Sequence, residues 1–131
     1  MSDAIQISDD QVVQFITQEI DSVPELEALL LMWQHRPAEW KAADLAKRLY
    51  IPTEQAQNLL LELGRKQFVA VCPGKPDSFC YESKSAERDQ LIARTEEVYR
   101  RQIVRISSLI HSKPSSAIRD FARAFRFTKE K

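Results

Sequence analysis

At 131 residues and 44% hydrophobic content, the chain can bury one ordinary core but not two large ones. Its formal net charge of zero conceals an imbalance: residues 1–83 carry 7 Lys/Arg against 13 Asp/Glu, a net of −6, whereas residues 84–131 carry 12 against 6, a net of +6. There is no run of 18 apolar residues, no basic stretch ahead of an apolar one at the N-terminus, and only two glycines, which argues against a membrane-spanning segment, a signal peptide and a glycine-rich phosphate loop. The expected location is therefore the cytoplasm, with Cys72 and Cys80 as free thiols.

In chain order, Ser8 followed by Gln11 is the pattern of a capping box. It opens a predicted helix over residues 9–21, with Val12, Phe15, Ile16 and Ile20 on one face. Pro24 suits the first turn of a second helix that runs to His35. Its nearly all-apolar middle marks it as the central core helix, and Pro37 ends it. Ala38-Glu39-Trp40 is a short extended connection. Residues 41–49 form a third helix with Ala42, Leu45, Ala46 and Leu49 at helical spacing. Tyr50-Ile51-Pro52 breaks it, and Thr53 caps a fourth helix over residues 54–65.

Residues 68–72 and 78–82 then read as two strands. Pro73-Gly74-Lys75-Pro76-Asp77 between them is dense in turn formers, so a hairpin is expected. If Val71 pairs with Tyr81, Cys72 and Cys80 face each other within disulfide range; otherwise they are two small hydrophobes at the strand ends. A long helix follows over residues 86–112, and a short one over residues 116–127. The expected divisions are residues 8–83, 84–112 and 113–131.

Helix, tight turn, helix and hairpin is the order of a winged helix-turn-helix domain. The stretch from Asp44 to Leu60 resembles that superfamily: Leu45, Ala46 and Leu49 sit where its first helix packs, and Ile51 supplies the apolar residue of its turn. Ala56, Leu59, Leu60 and Leu63 match the buried face of its recognition helix, and Phe68-Val69 the entry to its wing. Tyr50 departs from the pattern, which often has glycine there. The resemblance spans residues 24–83 and implies a mainly α fold with a small β-hairpin. It also implies a bacterial-type transcription regulator, often dimeric, although some members of the superfamily bind only proteins.

With the apolar face inward, the fourth helix presents Glu54, Gln57, Asn58, Leu61, Glu62 and Arg65 outward. Gln57 and Asn58 can each bridge an adenine edge, whereas Glu54 and Glu62 repel phosphate and Leu61 suits a protein contact. Candidate phosphate contacts are Lys41, Lys47, Arg48, Arg65, Lys66 and Lys75. DNA and a protein partner both remain open on these residues.

In the long helix, Ile92, Tyr99 and Ile106 recur every seven residues, with Ile103 and Ile110 in the neighbouring row. This stripe either pairs with a second copy, making a homodimer, or packs on the chain's own first helix. The last segment sets Ile118, Phe121 and Phe125 against Arg119, Arg123 and Arg126. Such a basic amphipathic helix docks in a partner groove, on an anionic membrane surface, or back on the acidic N-terminal part. His35 and His111 are solitary, no nucleophile sits in a recognisable motif, and neither a metal nor another cofactor is expected. A non-enzymatic regulatory protein follows: a dimeric transcription regulator inserting residues 54–65 into the major groove, or a module that docks another protein.

Overall fold

The computed structural model describes residues 6–113, and within them the fold is mainly α with one small hairpin. The first helix, α1 (Asp9–Glu19), opens on the predicted capping box: the Ser8 side chain accepts from the Gln11 amide at 3.2 Å, and the Gln11 side chain accepts from the Ser8 amide at 2.9 Å. Two of the orphan amides of the first turn are thereby satisfied, and Asp9 and Asp10 complement the positive end of the helix. The helix stops two residues short of the predicted end, because Ile20 turns extended and is buried. Ser22 then caps α2 (Val23–Gln34), accepting from the Glu25 amide at 3.2 Å. Leu26, Ala28, Leu29, Leu30 and Met32 are all buried, and most of the elements that follow pack against α2, as its apolar composition requires.

Trp40 is more than a connection. It exchanges backbone hydrogen bonds with Phe79 at 2.7 and 2.8 Å, a one-residue bridge on the edge of the hairpin. After α3 (Ala42–Leu49), Tyr50 adopts the left-handed conformation (φ 58°) and the Ile51 amide bonds back to the Ala46 carbonyl at 3.1 Å. The next helix, α4 (Thr53–Arg65), starts one residue earlier than predicted: Pro52 is the cap and Thr53 lies inside the helix. Ala56, Leu60 and Leu63 face the core. At its end Gln67 is left-handed (φ 68°), the Phe68 amide bonds to the Leu63 carbonyl and the Gln67 amide to the Gly64 carbonyl, both at 2.9 Å, which closes the helix as a Schellman motif.

The hairpin is β1 (Val69–Cys72) and β2 (Lys75–Tyr81). Its turn is the pair Pro73-Gly74, with Gly74 at φ 75°, rather than the predicted five residues. The register is accordingly Val69 with Tyr81, Ala70 with Cys80 and Val71 with Phe79, not Val71 with Tyr81, and a bulge follows Val71.

The long C-terminal helix predicted from the sequence is two. A break at Gln102 (φ −133°, ψ 48°) separates α5 (Ala86–Arg101) from α6 (Ile103–His111). Both pack on α1 and α2. Consequently Ile92, Tyr99, Ile106 and Ile110, expected as a stripe offered to a second copy, are buried in the chain's own core, and only Ile103 of that set remains half-exposed beside Val104. The corrective is physical: α1 buries Val12, Phe15 and Ile16, and the apolar faces of α5 and α6 pack on that helix. No helix among the described residues is long and apolar enough to cross a membrane. The predicted helix over residues 116–127, with Ile118, Arg119, Phe121, Arg123, Phe125 and Arg126, lies outside the described residues.

Candidate recognition surface

The outward face of α4 follows from its buried one. With Ala56, Leu60 and Leu63 inward, Glu54, Gln57, Asn58, Leu61 and Arg65 are exposed and Glu62 is half-buried. Gln57 and Asn58 stand at adjacent positions in the middle of this face. Arg65 does not present an unbalanced charge. Its guanidinium holds Glu62 through two hydrogen bonds, one of 3.2 Å from Nε, and this partner keeps the Glu62 carboxyl below the usual carboxylate range.

Lys66 is removed from the surface altogether, which corrects its assignment as a phosphate contact. Its side chain is only 8% exposed. The ammonium pairs with Glu25 at 2.7 Å, Asp21 at 3.2 Å and Glu62 at 3.7 Å, and donates to the Glu19 carbonyl. The carboxylates of Asp21, Glu25 and Glu62 converge within 4.8 Å, and Lys66 fills the space between them. Burial pushes the Glu25 carboxyl above its ordinary range, against the pull of Lys66. Residue 66 adjoins an exposed helix end in sequence, and its partners are 41 and 45 positions away, so no local pattern announces this cluster.

Of the other basic candidates, Lys75 sits at the start of β2 and pairs with Glu39 at 2.8 Å, both side chains in solvent. Lys41, Lys47 and Arg48 are exposed on α3 and its cap, and no ion pair among the described residues engages them. The Arg48 guanidinium lies 5.7 Å from the Trp40 ring centre, which limits its freedom.

Two further features belong to this surface, the first foreshadowed by the position of Tyr50 where the winged-helix pattern often has glycine, the second by no local pattern. Tyr50, at the turn between α3 and α4, is 94% exposed while held in the left-handed region, a conformation that costs a bulky residue roughly 1–2 kcal/mol. Among the described residues the ring packs on nothing that would repay that cost. The second is a cleft of about 390 Å³ between α4 and the hairpin, where Leu61 (53% exposed) and Val71 (50% exposed) share a rim above Gly64 and Val69. Leu61 was legible as an outward apolar residue; its pairing with Val71 was not, because it depends on the register of the hairpin.

The order of elements and the geometry of α3, α4 and the hairpin are those of a winged helix, and solved structures agree. MepR, a transcription regulator of the Staphylococcus aureus multidrug efflux pump MepA, is 16% identical, matches over 92% of this chain and 85% of its own, and superposes with a TM-score of 0.52. RV1404 from Mycobacterium tuberculosis is 17% identical over 92% of this chain and 82% of its own, with a TM-score of 0.52. A MepR variant bound to an oligodeoxyribonucleotide is 17% identical over 92% and 85%, with a TM-score of 0.50. At this identity the likeness establishes the fold. No protein-family model and no curated protein matches the sequence.

Proposed function

We propose that this chain is a non-enzymatic winged-helix regulator that contacts DNA through α4 and the hairpin, acting as a dimer. The observation that carries this reading is the state of Glu62. Its charge is balanced by Arg65 and Lys66, so the repulsion that two acidic residues on a recognition helix threaten is reduced to Glu54 alone. The exposed centre of α4 is then the amide pair Gln57 and Asn58, whose donor and acceptor atoms match the N6 and N7 edge of adenine in the major groove. Lys41, Lys47 and Arg48 supply phosphate contacts, and Tyr50 offers a hydroxyl at the turn that leads into the helix. That a protein of this fold has been solved bound to an oligodeoxyribonucleotide supports DNA as the ligand. A second copy would cover Ile103 and Val104.

A second reading rests on the cleft rimmed by Leu61 and Val71. An apolar rim is a poor bed for phosphate and a good one for an aliphatic or aromatic side chain of another protein. Retardation of pooled genomic fragments by the full chain separates the two. Retarded fragments whose sequence preference relaxes at one base pair in Asn58→Ala establish the first reading, and no retardation at low salt transfers the role to the cleft.

A further inference from the structure

Leu61 is half-exposed on the face of α4 proposed to meet DNA, and its neighbours there, Glu54, Gln57, Asn58 and Arg65, are all polar or charged. At about 100° and about 1.5 Å of rise per residue, it projects between Gln57 and Asn58, roughly 4.5–6 Å further toward the helix C-terminus. That advance corresponds to between one and two base-pair steps of about 3.4 Å. One turn on, Gly64 carries no side chain, although a Cβ there would meet only the Val69 carbonyl, at 3.9 Å, an ordinary contact. Packing therefore does not demand this glycine, and glycine is a poor helix former. Its effect is to leave open the cleft whose rim Leu61 shares with Val71.

We propose that Leu61 is a specificity-determining residue, which seats the C5-methyl group of a thymine at the mouth of that cleft, one or two base pairs from the base that Gln57 or Asn58 contacts. This rests on DNA contact through α4 and adds to it the kind of base pair required. An isobutyl side chain neither donates nor accepts a hydrogen bond. Laid over the major-groove edge of guanine, adenine or cytosine, it strips water from groups that it cannot satisfy. The thymine methyl is the one apolar group that the four bases present in that groove. A lone exposed leucine is ordinary on a protein surface. Between two amides that reach base edges, however, its distance from the duplex is fixed, and the contact becomes selective. Val71, half-exposed across the cleft, would cover the far side of the methyl. The amides favour adenine and Leu61 favours thymine, so A·T pairs satisfy both.

The test uses the full chain and duplexes recovered by retardation from pooled genomic fragments, resynthesised with deoxyuridine in place of one thymine at a time. Deoxyuridine pairs as thymine does and lacks only the methyl. With the parent chain, a thymine close to the base pair whose preference depends on Asn58 should lose about fourfold in affinity with its methyl, the worth of one such group buried. Leu61 supports no part of the core, so Leu61→Ala should keep the parent's helical circular dichroism. That variant should bind the thymine and deoxyuridine duplexes equally, whereas Asn58→Ala should still tell them apart. If the parent chain binds every deoxyuridine duplex as tightly as its thymine counterpart, the proposal is overturned and DNA contact stands. Discrimination that survives in Leu61→Ala overturns it too, because another residue then holds the methyl. No retardation at low salt overturns both this proposal and the DNA contact beneath it, and gives Leu61 to a protein partner.

Discussion

The Lys66 ammonium lies 2.7 Å from the Glu25 carboxylate, with the two side chains 8% and 2% exposed, and this pair ties the end of α4 to the start of α2. The same ammonium reaches the Glu19 carbonyl, the last of α1, so three elements meet on one charge. Lys113 repeats the arrangement from the other side, donating to the Ile16 and Ile20 carbonyls at the end of α1, and burial lowers its pKa. Cations thus cap the negative end of α1, where the sequence offers no basic residue in the last turn.

Removing one member of a buried pair strands the other, at a cost of about 3–5 kcal/mol. Lys66→Ala should therefore lower stability by at least about 3 kcal/mol in urea denaturation. Because Lys66 also balances the charge of Glu62 on α4, a Lys66→Met variant that still folds should bind DNA more weakly than the parent. A loss below about 1 kcal/mol for the alanine variant, as at an exposed pair, would place Lys66 in solvent.

Acid should reveal Glu25 by its sign. Its folded-state pKa lies above the ordinary 4.5, so the native chain takes up this proton at a pH where the unfolded chain does not. The Glu25 contribution to stability therefore increases as pH falls toward 4.5, whereas that of Glu62, whose pKa is lowered, diminishes below 4.5. Urea midpoints of Glu25→Gln, measured from neutral pH down to this range, should lack the rising component. An identical pH profile in the parent chain and in Glu25→Gln would mean that Glu25 titrates like a surface carboxylate.

Tyr50 tests whether strain marks the working surface. Replacing it by glycine relieves the left-handed backbone and should stabilise the fold by about 1 kcal/mol. The same substitution should weaken binding, because the exposed ring and hydroxyl are lost. Gln67→Gly, at the left-handed end of α4, should bring a similar stabilisation. A Tyr50→Gly protein that is more stable and binds as well as the parent would show that the ring has no role.

Assembly should respond to α6 residue by residue. Ile106 is fully buried, so Ile106→Glu should abolish folding, whereas the half-exposed Ile103 tolerates glutamate. Light scattering should report a dimer for the parent chain and a monomer for Ile103→Glu with its helical signal intact. A parent chain that scatters as a monomer removes dimerisation from the account.

Much of the fold is legible because its signals are local: the Ser8–Gln11 box, Pro24 in the first turn of α2, and the apolar spacing of α3 and α4 each fix an element without reference to the rest of the chain. The outward face of α4 follows from the same spacing. What the sequence conceals is set by contacts between distant residues. Gln102 carries no helix-breaking chemistry, and the break there lets α5 and α6 each lie on α1 and α2. The cation of Lys66 is indistinguishable from a surface lysine until α2 is placed beside it. The hairpin register depends on whether two or five residues make the turn, and turn formers fill all five positions.

The most direct test of the central claim is the salt dependence of DNA retardation by the full chain, compared with Lys47→Ala and Arg48→Ala. With Lys66 buried and Arg65 and Lys75 paired, Lys41, Lys47 and Arg48 are left to neutralise phosphates, so log affinity should fall against log salt with a slope of about −3 per protomer. Each of the two alanine variants should make that slope shallower by about 1 while weakening all sequences alike. An absence of retardation at low salt, or a slope that neither variant changes, would contradict DNA binding through this surface.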